Sequence, residues 1–158
     1  MSLKTDKRVI DALNTILTGE LTAINQYFLH AKMCQNWGYE RLYKVIYGES
    51  IDEMKHADAL IERILFLGGL PNVQRLDNVN IGETVAEQLQ ADLAFEHIAI
   101  PRLKEAIDLC YTWADHGTRT LLVKILSSEE EHVDGLEAQL ELIEQIGLQN
   151  YLAQQLYA

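Results

Sequence analysis

Between two long amphipathic stretches lies "GGLPNVQRLDNVNIGE", residues 68–83, and this segment constrains the fold more than any other. Sixteen residues rich in turn formers make a long connection for a compact domain, so the length needs a reason. Fully extended, they span at most about 53–58 Å. The helical stretch before them, about 39–67, is roughly 44 Å long at 1.5 Å per residue. The connection can therefore run the whole length of a bundle, which makes the helices on either side of it parallel. The breaks "NWGY" and "ADHGT" are short turns that make the outer pairs antiparallel, and "IGLQN" ends the fourth helix. The expected architecture is an all-α four-helix bundle with one long crossover between helices two and three. Its helices span about 5–36, 39–67, 84–113 and 117–145, with a short fifth at 148–156, in a single domain covering 1–158.

Composition supports helices and narrows the partners. Only two prolines interrupt a sequence rich in Leu, Ala, Glu and Ile. The formal net charge of −11 argues against nucleic acid and anionic membranes as partners and fits an attraction for cations, although an acidic soluble protein needs no such role. The N-terminus "MSLKTDKRVI" lacks the apolar core of a signal peptide, and no apolar run reaches membrane-span length, so the expected compartment is the cytoplasm. Cys34 and Cys110 match no metal or haem spacing and read as small buried side chains.

The chemistry sits in a repeated spacing. In "SIDEMKHADAL", Glu53 and His56 lie three residues apart on one side of a helix. "SSEEEHVDGL" repeats the pair as Glu129 and His132, offset by 76 residues. Stepping back 33 residues from each glutamate reaches Glu20 and Glu96, again 76 apart. All four glutamates interrupt apolar stripes: Glu20 lies with Leu13, Leu17 and Ile24, and Glu96 with Leu89, Leu93 and Leu103. Glu53 lies with Ile46, Leu60 and Ile64, and Glu129 with Leu122, Leu136 and Leu140. Exposed glutamates and a chance histidine pair would explain one such motif but not two in register. Folding each hairpin at its tryptophan turn brings the four carboxylates and two imidazoles to one level. Burial and mutual repulsion would disfavour four carboxylates in one core, and two divalent cations would neutralise them. Carboxylate oxygen with some imidazole suits iron or manganese better than zinc.

Met54 projects from the same helix but is rotated about 100° from Glu53. With Tyr43, Tyr47, Ile61 and Leu65, and with Leu21 and Phe28 on the first helix, it belongs to a second apolar face suited to covering by another subunit.

The stretches "GELTAINQYFLHAKM", "ESIDEMKHADALIERILFLGGLPN" and "GLQNYL" resemble the bacterioferritins, and the resemblance covers essentially the whole chain. It implies a ferritin-like bundle assembled from two-fold dimers into a hollow homo-oligomeric shell of twenty-four subunits. It implies oxidation of ferrous iron by O2 or H2O2, storage of ferric mineral, two iron ions per subunit and one b-type haem per two subunits. Matched residue by residue, Glu20 and Glu96 take the place of the terminal carboxylates, Glu53 and Glu129 of the bridging ones, and His56 and His132 of the nitrogen ligands. Met54 takes the place of the haem ligand contributed by each subunit. Haem is associated in the family with reductive iron release, fed by a small ferredoxin-type donor. Tyr27 and Asp52 are the candidates for residues just outside the ligands, with a core tyrosine of no redox role as the alternative for Tyr27.

The sequence departs from that pattern in places. Gly48 stands where some relatives carry a histidine on the inner surface, Gly135 replaces a bulkier residue, and Pro101 removes a backbone bond inside helix three and is expected to kink it. His30, His97 and His116 lie outside the repeat and read as surface or polar-contact residues. The alternative function is a di-iron peroxidase or oxidoreductase without substantial iron storage.

Overall fold

The computed structural model describes residues 4–157; the first three residues of the expected domain and Ala158 lie outside the described residues. The chain forms α1 (Lys7–Asn36), α2 (Glu40–Phe66), α3 (Val85–Thr112), α4 (His116–Ile146) and the short α5 (Leu148–Ala153). The first four match the expected bounds to within two residues. Local chemistry sets the starts: Asp6, Thr84 and Asp115 accept the backbone N–H groups of Arg8, Glu87 and Thr118. Helix α5 ends before the expected 156, because Gln154 and Gln155 donate to carbonyls only three residues back and tighten the last turn. Pro101 lies inside α3, which stays helical through it.

The hairpin turns need unusual backbone. Gly38 closes the first at φ 90°, and Ala114 stands in the second at φ 54°, a left-handed conformation that an alanine adopts only when its neighbours impose it.

The crossover runs along α1, and side chains of α1 hold it. Asn14 donates to the Leu70 carbonyl and accepts from the Asn72 amide. Thr22 accepts from the Asp77 amide, Gln26 from Asn80 and His30 from Gly82. From Asn14 to His30 the helix rises about 24 Å, so the connection traverses most of the bundle. Backbone groups that no helix can satisfy are thereby paired.

Two apolar clusters fill the bundle. One gathers Leu13, Leu17, Leu60, Ile64, Leu103 and Leu122. The other gathers Ala23, Tyr27, Ile46, Leu89, Leu136 and Tyr151, the last bringing α5 onto the bundle. Glu20, Glu53, Glu96 and Glu129 occupy the level between them, which is why a polar centre can sit in the middle without opening either end. Cys34 and Cys110 are both buried and free.

Candidate metal centre

Glu20, Glu53, Glu96 and Glu129 are almost completely buried, and His132 nearly so. They come from four different helices and converge with His56 in two overlapping groups. One holds Glu20, Glu53, His56 and Glu129; the other holds Glu53, Glu96, Glu129 and His132. Within each group the ligand-type atoms lie within 4.8 Å of one another, and Glu53 and Glu129 belong to both. The Nδ1 of His56 lies 3.4 Å from Glu20 Oε2, 3.3 Å from Glu129 Oε1 and 3.7 Å from Glu53 Oε2. On the other side, His132 Nδ1 lies 3.0 Å from Glu53 Oε1, 3.7 Å from Glu129 Oε1 and 3.9 Å from Glu96 Oε1.

These approaches lack hydrogen-bond geometry. Both Nδ1 atoms, both oxygens of Glu53 and Glu129, and one oxygen each of Glu20 and Glu96 are buried without a partner. An orphaned buried polar atom costs about 1–3 kcal/mol, more when charged, so a cluster of eight asks for a compensating ligand. Carboxylate and imidazole donors converging from four sides fit divalent cations.

The electrostatics point the same way. Burial pushes the Glu53 carboxyl up, but its contacts with His132 and His56 outweigh that and hold it at about 2. Burial and the neighbouring Glu53 charge drive Glu129 strongly upward. Burial pushes His132 down, yet Glu53 and Glu96 raise it to about 11. Without cations the pair Glu53/Glu129 cannot hold two negative charges, and protons stay on the centre in their place. A cation entering it must displace those protons.

Two neighbours brace the cluster. The buried Tyr27 hydroxyl, held protonated by burial and by the Glu96 charge, donates to Glu96 Oε1. Asp52, half exposed, pairs at 3.2 Å with Nε2 of His132, leaving Nδ1 to face inward. Met54 does not join them. It lies half exposed on α2, with Phe28 and Leu65 also exposed on the bundle surface.

A second buried polar cluster was not read from the sequence. Asp92 Oδ1 accepts from Gln26 at 2.8 Å and pairs with His30 Nδ1 at 2.9 Å, all three residues being fully buried. His97 and His116 are exposed, whereas His30 is buried, so of the two readings it is the polar contact that holds for it. The Gly82 amide donates to His30 Nε2, which places the ring proton on Nδ1, facing Asp92. Glu49, also missed, has one oxygen buried without a partner, and burial pushes its carboxyl up to about 8. The signal for the cluster was present: Asn14, Thr18, Thr22, Gln26 and His30 form a four-residue-period stripe without a formal charge. A solvated face would carry lysine and glutamate instead.

Residues 10–146 match the ferritin-like domain. The chain is 52% identical over 149 residues to the bacterioferritin of Mycolicibacterium paratuberculosis, covering 94% of each chain. The chain belongs to the bacterioferritin family. Bacterioferritin BfrA of Mycobacterium tuberculosis is 50% identical over 149 residues, covering 94% of each chain. The bacterial ferritin of Synechocystis sp. is 48% identical over 155 residues, covering 98% of this chain and 99% of its own. Membership supports iron storage as the general role, and the bundle with its crossover and short fifth helix agrees with it. Among the described residues no helix is long and apolar enough to cross a membrane.

Proposed function

We propose that the protein oxidises ferrous iron at a di-iron centre and stores the ferric product as mineral inside a hollow shell of its own copies. The observation that carries this reading is the set of buried, unpartnered carboxylate and imidazole atoms in two groups sharing Glu53 and Glu129. Glu20 and His56 would hold one cation and Glu96 and His132 the other, with Glu53 and Glu129, common to both groups, shared between them. Anionic ligands favour the ferric state, so ferrous iron bound here is readily oxidised, with O2 or H2O2 accepting the electrons. Tyr27 fixes the Glu96 carboxylate and Asp52 fixes the His132 ring, so two ligands are held in place before the cation arrives.

Met54, half exposed on the surface of α2, would be the residue that holds a b-type haem shared by two subunits of a two-fold dimer, its thioether sulfur accessible from outside the bundle. Bound there, such a haem would supply one-electron chemistry for reductive iron release, with a small ferredoxin-type protein as donor, twenty-four subunits in the shell and the cytoplasm as its compartment.

The test is a titration of the demetallated protein with ferrous iron in air. Fast oxidation should saturate at about two equivalents per chain, followed by slower uptake far beyond that. Saturation at about two with no further uptake would leave the centre standing and favour the di-iron peroxidase reading. Met54→Leu should abolish haem while leaving fast iron oxidation; haem at full occupancy in that variant would remove Met54 from the ligand set.

A further inference from the structure

The repeat that relates the two halves of the centre does not extend to what surrounds them. Tyr27, seven residues after Glu20, donates to Glu96 in the other half. Seven residues after Glu96 stands Leu103, a buried side chain beside Glu20 that can donate nothing, and Glu20 Oε2 has no partner. Asp52, just before Glu53, pairs with His132 across the bundle. Just before Glu129 stands Ser128, and among the described residues no hydrogen bond joins it to His56. Both braces therefore arise in the first hairpin and act on ligands of the second.

A second, independent feature falls on the same side. Gly19, Glu20, Phe95, Ile98 and Leu103 line a small cavity between α1 and α3 of about 10 Å³, room for about one water. It shares Thr15, Ile16 and Arg102 with a wider surface cleft of about 330 Å³. The half without braces is thus also the half with space beside its carboxylate, and His56 is more exposed than His132, at 14% against 7% of the side chain.

We propose that Tyr27 and Asp52 are positioning residues that make the two cation positions unequal. The position held by Glu96 and His132 is preorganised and retains its divalent cation. The position held by Glu20 and His56 is the exchangeable one, through which cations enter and leave. This inference rests on the di-metal reading above. A braced ligand loses less freedom when a cation binds, and removing such a brace typically weakens metal affinity by roughly 10–100-fold.

The experiment is an anaerobic titration of the assembled, demetallated protein with Co(II), followed by its visible absorption. Two dications repel each other, so two binding steps are expected in any case; the deciding readout is which step each variant moves. Asp52→Ala should weaken the tighter step by roughly 10–100-fold and leave the weaker step within about twofold. Tyr27→Phe should move the same step in the same direction. Ser128→Asp, which restores by the repeat the carboxylate that His56 lacks, should tighten the weaker step. If Asp52→Ala does not fold, Asp52→Asn removes the charge from the same half-exposed site and serves the same test. Equal weakening of both steps by the Asp52 variant, or no tightening by Ser128→Asp, would overturn the inference while leaving the di-metal reading intact. Failure of the wild-type protein to take up Co(II) would overturn both.

Discussion

Two clusters of buried histidine and carboxylate lie within the same bundle, and they differ in how fully they are satisfied. Around Asp92, the polar groups of Gln26, His30 and Gly82 find one another, and only Asp92 Oδ2 is left over. Around Glu53 and Glu129, eight ligand-type atoms on six residues find nothing. Residue types are nearly the same in the two places, so composition does not separate them. Satisfaction does: the first cluster spends its hydrogen-bonding capacity on the chain, and the second leaves it unspent, as a cation-binding group would. Buried histidine alone is a poor guide to function, whereas buried histidine with unpartnered oxygen around it is a good one.

That contrast is open to test, beginning with the largest effect. Glu129→Ala removes a carboxylate common to both groups and should abolish fast ferrous oxidation and lower divalent-cation affinity at both positions by at least about 100-fold, read by titration and rapid mixing. If cation binding survives at full stoichiometry, the unpartnered atoms are not ligands. In the other cluster, His30→Ala should lower stability by about 2–4 kcal/mol, because it leaves Asp92 and the Gly82 amide without their partner. Cation stoichiometry should stay as in the wild type, measured on the folded fraction. A loss of stability below about 1 kcal/mol would mean the satisfied cluster contributes little.

Glu49 sharpens the boundary, since it feels His132 and Asp92 together. Its carboxyl rises from 4.5 to about 8 on folding, because burial outweighs the His132 charge. The folded protein then holds a proton that the unfolded chain releases, so this group's contribution is complete below pH 4.5 and is lost as pH rises to about 8. Across that window Glu49→Gln should flatten the fall in stability of the demetallated protein by on the order of 5 kcal/mol, measured by denaturation at each pH. An unchanged slope would mean Glu49 is ionised throughout. The smallest effect lies outside both clusters. Gly135 sits within α4, and an added Cβ there would meet nothing within 4 Å. Gly135→Ala should raise stability by roughly 0.5–1 kcal/mol through helix propensity and leave metal and pH behaviour unchanged.

How much was legible in the chain follows from which signals are periodic. Helix bounds came within two residues where capping side chains and turn glycines mark them, and failed only at α5, whose last turn is tightened by three-residue bonds. Glu20, Glu53, His56, Glu96, Glu129 and His132 stood out because a spacing occurs twice at one offset on apolar faces. Tyr27 is a candidate from the family resemblance for a residue just outside the ligands, and the structure gives its hydroxyl to Glu96 in the other hairpin. His30, Asp92 and Gln26 were not read as a cluster, because their burial depends on a crossover that lies elsewhere in the sequence.

The sequence by itself determined the number and length of the helices, the parallel course that a sixteen-residue crossover imposes, and the doubled motif that supplies six polar side chains to one level of the bundle. These are local or repeating properties, set by propensity, periodicity and chain reach. Only the tertiary structure decided which polar atoms are satisfied, which hairpin braces the other's ligands, and where a cavity opens beside Glu20. Those outcomes depend on residues dozens of positions apart meeting within about 3 Å, and hydrogen bonding at that range is fixed by packing, which no local pattern encodes.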